Sequence, residues 1–190
     1  MDANVLVRAR LRDVLLTLAE AELYEVRWSA GVLNEMNRHL PEAMSVSSRK
    51  SLCRATARAF PDALVDWPAG LEVDVPKLVN AKDRHVVAAA AFAHAEILVT
   101  DDRALRDQVD CLPELVEAQS ASVFIAFAID SDLARAGCAM VDMAARRWLG
   151  GAEPAGIKEI QDRLAGWAHR ELGSVVADLI AREEFIRHVE

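Results

Sequence analysis

Short β-branched segments alternate with helical periods over the first two thirds of the chain, and this alternation constrains the fold more than any other feature. An alanine-rich helical stretch at 84–95 leads directly into Glu-Ile-Leu-Val at 96–99, which stops at Thr-Asp-Asp at 100–102. Strands that alternate with helices favour right-handed βαβ units, which build a parallel sheet covered on both faces. We therefore expect an α/β fold.

Local signals predict the remaining elements of this region. Apolar residues repeat at helical spacing from Leu11 to Ala19, and Ser29 is the predicted N-cap of a helix that buries Val32, Leu33, Met36 and Leu40 and ends at Pro41. A third helix is predicted at 47–60, before Pro61. Short strands are predicted around Asp2 to Asn4 and at 23–28, 63–65, 96–99 and 115–117, and a short helix at 103–108. The segment 66–80 contains Pro68, Gly70 and Pro76 and is predicted to be loop with a short helix.

The pattern changes after about residue 120, where only helical periods remain. They cover 121–127, 133–148 and a final pair broken near Gly173, and Gly150-Gly151 predicts a hinge. We therefore predict an α/β domain at 1–127 and a helical C-terminal extension at 128–190.

Composition narrows the class of protein. Of the 190 residues, 53% are apolar, but none of the apolar runs reaches the length of about 18 residues that a membrane span requires. The start Met-Asp-Ala-Asn lacks the basic region of a signal peptide, and three scattered cysteines suit a reducing compartment, so a cytoplasmic protein is expected. The net charge of -8 means that any contact with nucleic acid must be local.

Acidic residues follow the predicted strands. Asp2 and Asn4 belong to the first strand, and Asp101 and Asp102 follow the strand at 97–99. In open α/β sheets ligands bind beyond the carboxyl ends of the strands, so these groups converge if the two strands are neighbours. Asp83 begins the helix before that strand, and Glu35 lies beside the buried Met36.

Converging carboxylates repel one another unless a cation neutralises them, and oxygen ligands favour Mg²⁺ or Mn²⁺. A divalent ion held by carboxylates is a recurrent arrangement for cleaving phosphodiesters. Taken singly, each residue also has an ordinary explanation: a terminal residue for Asp2, a solvated helix position for Glu35, a helix start for Asp83 and a turn for Asp101-Asp102. Their joint placement at strand ends favours the metal site.

Several segments resemble the PIN-domain ribonucleases, especially the VapC-type toxins of type II toxin–antitoxin pairs. The matching segments, in family order over roughly 1–127, are Asp-Ala-Asn-Val-Leu at 2–6, the helix at 11–19, Arg-Trp-Ser at 27–29, Leu-Asn-Glu-Met at 33–36, Ala-Phe-Pro-Asp-Ala-Leu-Val at 59–65, Lys-Asp-Arg-His-Val-Val-Ala-Ala-Ala at 82–90 and Ile-Leu-Val-Thr-Asp-Asp at 97–102. The resemblance implies a three-layer α/β/α PIN-like fold with a central parallel sheet of about five strands, followed by the helical extension.

The resemblance also implies a set of catalytic, metal-binding residues: Asp2, Glu35, Asp83 and Asp102. By this mapping Asp2 and Asp83 are the closest ligands of Mg²⁺ or Mn²⁺, while Glu35 and Asp102 act through water or bind a second ion. Asn4 and Thr100 would orient the ligands by hydrogen bonds. Asp101 can replace Asp102 in this scheme, and the sequence does not decide between them.

The implied activity is metal-dependent endonucleolytic cleavage of RNA. The basic residues that flank the acidic cluster and could hold the RNA backbone are Lys82, Arg84, Arg103 and Arg106. Family membership would also imply a small antitoxin as partner and a homodimer.

Two alternatives stay open. One is a PIN-fold binding module with weakened catalysis, which is suggested by departures from the family: only Met1 precedes Asp2, so that either the start lies upstream or the first strand is shortened, Asn80 replaces a common acid, and Arg103-Ala104-Leu105 follows the last motif. The other is a haloacid-dehalogenase-like phosphatase, whose mechanism needs a second aspartate at position 4, where this chain has Asn.

Overall fold

The computed structural model describes residues 1–66, 75–149 and 156–189, and 65% of these residues are helical. It divides into two compact units. Unit 1 comprises Met1–Arg12 and Val26–Ser120, and unit 2 comprises Asp13–Glu25 and Ala121–Glu190. The division therefore differs from the predicted boundary at 127, since unit 2 also takes in a segment near the start of the chain.

Unit 1 contains most of the predicted elements. In chain order the described elements are α1 (Ala3–Val7), the first residues of α2 (Ala9–Glu20), β1 (Trp28–Ser29), α3 (Ala30–His39), α4 (Val46–Ala59), a 3-10 turn (Pro61–Ala63), β2 (Leu64–Val65), α5 (Arg84–Phe92), β3 (Ile97–Val99), α6 (Arg103–Val109) and β4 (Glu117–Gln119). The helices predicted at 11–19, 47–60, 84–95 and 103–108 are confirmed within a few residues. The loop predicted at 66–80 falls mostly on 67–74, outside the described residues.

The predicted central sheet of about five strands is wrong. In the described part of the chain, β1 pairs only with β2 and β3 only with β4, each in parallel, so that two sheets of two strands replace one sheet. The register joins Trp28 to Leu64 in the first pair and Leu98 to Ala118 in the second. The PIN-like α/β/α fold is therefore not supported. Each described strand has only two or three residues, so the β-branched segments form much shorter strands than predicted.

The segment expected to be the first strand is a helix. Asp2 has an extended backbone and caps α1, and the helix continues to Val7 with Ala3, Val5 and Leu6 buried. The buried Arg12 satisfies carbonyls at the other end, since its Nη1 atom donates to Leu6 O at 2.7 Å and to Val7 O at 3.4 Å. Tertiary hydrogen bonds thus stabilise a helix too short to be stable alone.

Residues 1 and 2 lie between the two strand pairs. The Met1 amino group donates to Arg27 O, just before β1, at 2.8 Å, and the Asp2 amide donates to Val99 O, the last residue of β3, at 3.0 Å. Although no continuous ladder forms there, the backbone of Asp2 is fixed beside the end of β3. This contact brings the first acidic residue next to Thr100.

The predicted cap of α3 is confirmed. Ser29 Oγ accepts a hydrogen bond from Val32 N at 3.1 Å, and Val32, Met36 and Leu40 are buried, whereas Leu33 is only half-buried. Helix α3 packs on α1 and on α5. Because α5 begins immediately after Asp83, this packing brings the Glu35 helix to the start of the Asp83 helix.

Unit 2 is built from helices in its described part. They are the remainder of α2, α7 (Ala121–Ser131), α8 (Leu133–Arg147), α9 (Ile157–Glu171), α10 (Ser174–Ala181) and α11 (Glu183–Ile186). Trp148 and Trp167 form an edge-to-face pair with ring centroids 5.1 Å apart. The hinge predicted at Gly150-Gly151 lies outside the described residues. None of the helices described combines the length and apolarity needed to cross a membrane.

Candidate acidic site

Thr100 organises one side of the acidic site. Its hydroxyl donates to Asp2 Oδ2 at 2.6 Å and accepts hydrogen bonds from Asn4 Nδ2 at 2.9 Å and from the Asp102 amide at 3.1 Å. A hydroxyl has one hydrogen and two lone pairs, so all of its hydrogen-bonding capacity is used. Thr100 is completely buried, and it fixes residues from three parts of the site.

Asp2 is held tightly rather than loosened by its position near the chain start. Its Oδ1 atom accepts from Ala3 N at 2.6 Å, and Oδ2 accepts from Asn4 Nδ2 at 2.7 Å as well as from Thr100. The residue is only 7% exposed. Of the roughly four lone-pair positions of a carboxylate, three are already occupied, which leaves Asp2 little capacity for direct coordination.

The structure separates the roles of Asp101 and Asp102. The Asp101 carboxylate forms an ion pair with Arg8, and its amide donates to Asn4 Oδ1 at 3.2 Å. Asp102 caps α6 by accepting from Leu105 N through Oδ1 at 3.2 Å, while Oδ2 lies 3.9 Å from Lys82 Nζ. One oxygen of Asp102 therefore faces Lys82 and Asp83, and Asp102 is the better candidate ligand of the two.

Asp83 differs from Asp2 and Asp102 because its Oδ2 atom makes a loose ion pair with Lys82 and accepts no hydrogen bond from the described residues. It occupies the N-cap of α5, but its side chain makes no capping hydrogen bond. Its buried Oδ2 atom has no hydrogen-bond partner among the described residues, and the nearest cation, Lys82 Nζ, is 3.6 Å away. An ionised oxygen is seldom left in this state without a compensating function.

The pKa of Asp83 reports that the four predicted acids converge. Burial raises this pKa, the ammonium of Lys82 lowers it, and further increases come from the carboxylates of Asp102, Asp2 and Glu35. These residues are separated by up to 100 positions in the chain, and each is close enough to repel the charge of Asp83. The other three acids thus lie within electrostatic range of Asp83, while their role as ligands stays a prediction.

A histidine that the sequence did not single out also faces the cluster. The Nε2 atom of His85 lies 3.6 Å from Glu35 Oε2, and both side chains are partly exposed. The other ring nitrogen, Nδ1, is buried and has no hydrogen-bond partner in the described structure. The sequence offered one signal for His85, its position two residues after Asp83. Glu35 lies on another helix, so no helical repeat relates it to His85.

The four basic residues expected to bind RNA occupy different environments. Arg106 Nη1 donates to Thr100 O at 2.8 Å, and Arg84 Nε donates to Val79 O at 3.1 Å, so both also support the backbone. The side chain of Arg103 is 87% exposed and lies 3.8 Å from Asp107, and that of Lys82 is 71% exposed. Lys82 and Arg103 are thus the more accessible pair for an anionic ligand.

The donor set fits a hydrated divalent cation. The Oδ2 atoms of Asp83 and Asp102 both lie within 4 Å of the Lys82 ammonium, so both oxygens face the same positively charged side chain. In the described ranges no group of three or more His, Cys, Asp or Glu side chains is close enough to hold an ion together. The two acids that face Lys82 offer oxygen donors, which Mg²⁺ prefers, and not the Cys and His donors typical of structural zinc sites.

Similarity to known proteins does not help to identify the ligand of this site. Comparison of the chain with protein-family models, curated proteins and solved structures gives no match.

Proposed function

We propose that the chain is a Mg²⁺- or Mn²⁺-dependent endoribonuclease that cleaves RNA phosphodiesters at the acidic cluster. The observation that carries the proposal is the Asp83 carboxylate, which is half-buried near three other acids and whose buried Oδ2 atom has no hydrogen-bond partner among the described residues. A charged group that lowers the stability of the fold and stabilises no neighbouring element is typical of a functional site. The resemblance of the sequence segments to PIN-domain ribonucleases supplies the reaction class.

The residues divide into ligands and supports. Asp83 and Asp102 would hold the cation, because their Oδ2 atoms face the same ammonium. Asp2 would act on its hydration, since only one lone-pair position of its carboxylate is left. When bound, the cation would supply the Lewis acidity that polarises the scissile phosphate.

The protein's own groups would position the substrate. Lys82 and Arg103 are exposed beside the acids and would attract the phosphates on either side of the scissile bond. Thr100, Asn4 and Arg106 keep the loop after β3 in place by hydrogen bonds, so that Asp102 retains its orientation. Positioning of this kind is a large part of catalysis of phosphoryl transfer.

The decisive experiment compares RNA cleavage by the wild type, Asp83→Asn and Asp110→Asn, each with Mn²⁺ and with EDTA. Asp110 is an exposed acid at the far end of α6 and undergoes the same change of charge. We expect cleavage by the wild type and Asp110→Asn in Mn²⁺ only, and none by Asp83→Asn. Cleavage that persists in EDTA or in Asp83→Asn contradicts the proposal.

A second candidate is a binding module without catalysis. It is favoured by the lack of a three-ligand group in the part of the chain described. Isothermal titration with Mn²⁺ separates the two, because the module predicts no binding and no cleavage at any Mn²⁺ concentration. The phosphatase alternative is less well supported, because the Asp2 oxygens that would attack phosphate already accept three hydrogen bonds.

The biological setting follows from the resemblance. A VapC-type toxin acts in the cytoplasm, forms a homodimer and is inhibited by a small antitoxin, and we propose the same for this chain. The Lys82 ammonium beside Asp83 and Asp102 supports an inhibitor that inserts a basic side chain there. Expression of the wild type should arrest growth and Asp83→Asn should not; where a small open reading frame adjoins this gene, its co-expression should restore growth.

A further inference from the structure

Helices α3 and α5 form a slot that contains the ring of His85. Gly31 and Glu35 are one turn apart on α3 and therefore lie on the same face of the helix. A Cβ atom at residue 31 would stand 3.2 Å from His85 Nδ1 and 3.5 Å from its Cε1. At the other side of the ring, Nε2 lies 3.6 Å from Glu35 Oε2. The ring thus spans the two residues and directs Nε2 towards the carboxylate.

Gly31 is explained by this ring and not by the helix. Glycine in a helix costs about 1 kcal/mol relative to alanine, so α3 alone would favour another residue here. The available space is limited by His85 and by Ser29 Oγ, which lies 3.3 Å from the same Cβ position. The missing side chain therefore allows the imidazole to approach α3 closely.

From this geometry, and on the basis of the proposed nuclease function, we propose that His85 is a positioning residue for Glu35. Its Nε2 atom, 3.6 Å from Oε2, attracts the carboxylate electrostatically and keeps Glu35 directed towards the cluster around Asp83. The Nδ1 atom is buried and has no hydrogen-bond partner among the described residues, so Nε2 is the ring nitrogen that faces a polar group. Glu35 has the same relation to its histidine as a metal-site carboxylate has to its orienting partner.

The pairing can be measured without metal or RNA by nitrogen NMR of protein labelled in its histidines. We expect His85 to be the Nε2–H tautomer, and its nitrogen shifts to change in Glu35→Gln and in Gly31→Ala. The exposed Glu42 provides the control, because Glu42→Gln should leave the signals of His85 unchanged. His39, His94, His169 and His188 serve as internal references. If the His85 shifts are the same in Glu35→Gln as in wild type, the pairing is wrong.

The positional role is tested by the kinetics of three variants at saturating Mn²⁺. Loss of a group that orients a metal-site residue typically costs about 10–100-fold in activity or metal affinity, so His85→Ala should lower kcat by that factor with little change in KM. His85→Gln, whose amide can still donate to Glu35, should recover most of the rate. Gly31→Ala should lower kcat less than His85→Ala, because the ring needs to move by only a few tenths of an ångström. Equal losses in His85→Gln and His85→Ala overturn the proposal.

The two measurements keep this proposal separate from the nuclease proposal. In a preparation that cleaves no RNA, the nitrogen shifts alone decide whether His85 and Glu35 are paired. If RNA is cleaved but Glu35→Gln leaves His85 unaffected, the nuclease proposal stands and the positioning role fails.

Discussion

Thr100 is the residue on which the hydrogen bonds of the acidic site converge. Its hydroxyl contacts Asp2, Asn4 and the Asp102 amide while it is completely buried. Thr100→Val keeps the shape but leaves these groups without their partner, so we expect a loss of about 1–3 kcal/mol in the free energy of unfolding. Denaturant titration followed by circular dichroism measures it.

Thr100→Ser is the matched control for that substitution. It retains the hydroxyl and should lose only the contribution of a methyl group, about 1 kcal/mol. If Thr100→Val is as stable as Thr100→Ser, the hydroxyl does not stabilise the site.

Asp83→Asn should increase stability while it abolishes cleavage. Burial and three nearby carboxylates raise the pKa of Asp83, so the folded protein binds more protons than the unfolded chain between the ordinary aspartate pKa and this raised value. Stability therefore falls as pH rises through that window, and the ionised group opposes folding at neutral pH. Asparagine cannot ionise, and we expect a Tm about 1–3 °C higher at pH 7.

The pH series provides the control for this prediction. The advantage of Asp83→Asn over wild type should shrink as the pH is lowered into the acidic range, because Asp83 itself becomes protonated there. Asp110→Asn should show no such convergence. A Tm of Asp83→Asn below that of wild type at pH 7 would mean that the carboxylate stabilises the fold.

The convergence of the acids could be predicted from the sequence, but the division of labour among them could not. The prediction placed Asp2 and Asp102 at the ends of strands in one sheet, but residues 3–7 form a helix and the described strands form two separate sheets. The Asp2 amide instead reaches Val99 O, and Thr100 binds the Asp2 carboxylate. The state of each carboxylate depends on such distant partners: Arg8 pairs with Asp101, whereas Asp83 Oδ2 has a loose ion pair with Lys82 and no hydrogen-bond partner among the described residues. The His85 slot depends on Gly31, a contact between two helices that no local pattern encodes.

At the scale of elements, Gly137 marks the closest packing of unit 2. A Cβ atom there would stand 1.5 Å from the carbonyl oxygen of Phe185, so α8 and α11 can approach only because this side chain is absent. Gly137→Ala must move backbone, and we expect it to lower the free energy of unfolding by about 1–3 kcal/mol or more. Thermal unfolding measures the loss.

Gly166 in α9 is the control for that steric argument. A Cβ atom there meets only the far end of Arg170 at 3.6 Å, which is an ordinary contact. Since alanine favours helix over glycine by about 1 kcal/mol, Gly166→Ala should stabilise the protein. Opposite signs for the two substitutions are the expected result, and a stable Gly137→Ala contradicts the packing of α8 against Phe185.

Helices could be predicted from the sequence more reliably than strands. Periodic apolar residues and caps such as Ser29 are local signals, and α3 begins where they predict. The strand at residues 2–4 was predicted wrongly because Ala-Asn-Val-Leu-Val contains too few residues to show a period. Its helical state depends on Asp2 as cap and on Arg12, whose guanidinium reaches the carbonyl of Leu6.

At the scale of the whole molecule, the net charge of -8 opposes RNA binding except at the basic residues beside the acids. Arg84 and Arg106 also donate to backbone carbonyls, so Lys82 and Arg103 should make the phosphate contacts. For two contacts to single-stranded RNA, log K against log salt should have a slope of about −1.4. Fluorescence anisotropy with Asp83→Asn, which should not cleave the probe, measures it.

A matched pair of lysines tests which residues contribute to that slope. Lys82→Met in the same background should reduce its magnitude by about 0.7, the contribution of one phosphate contact. Lys77 is also exposed, and Lys77→Met makes the same change of charge. An equal effect of both substitutions would show that the net charge, and not a local contact, governs binding.

The Asp83 carboxylate, which caps no helix, also affects how this chain can evolve. Asp2 and Asp102 have structural duties, because one caps α1 and the other caps α6, so a descendant that no longer needed them would still tend to keep them. Asp83 caps no helix, and replacing it with an uncharged residue should increase the free energy of unfolding. If divergent relatives keep an acid at this position, selection for activity is the expected reason. Relatives that have lost the activity should lose this acid before the acids that cap helices.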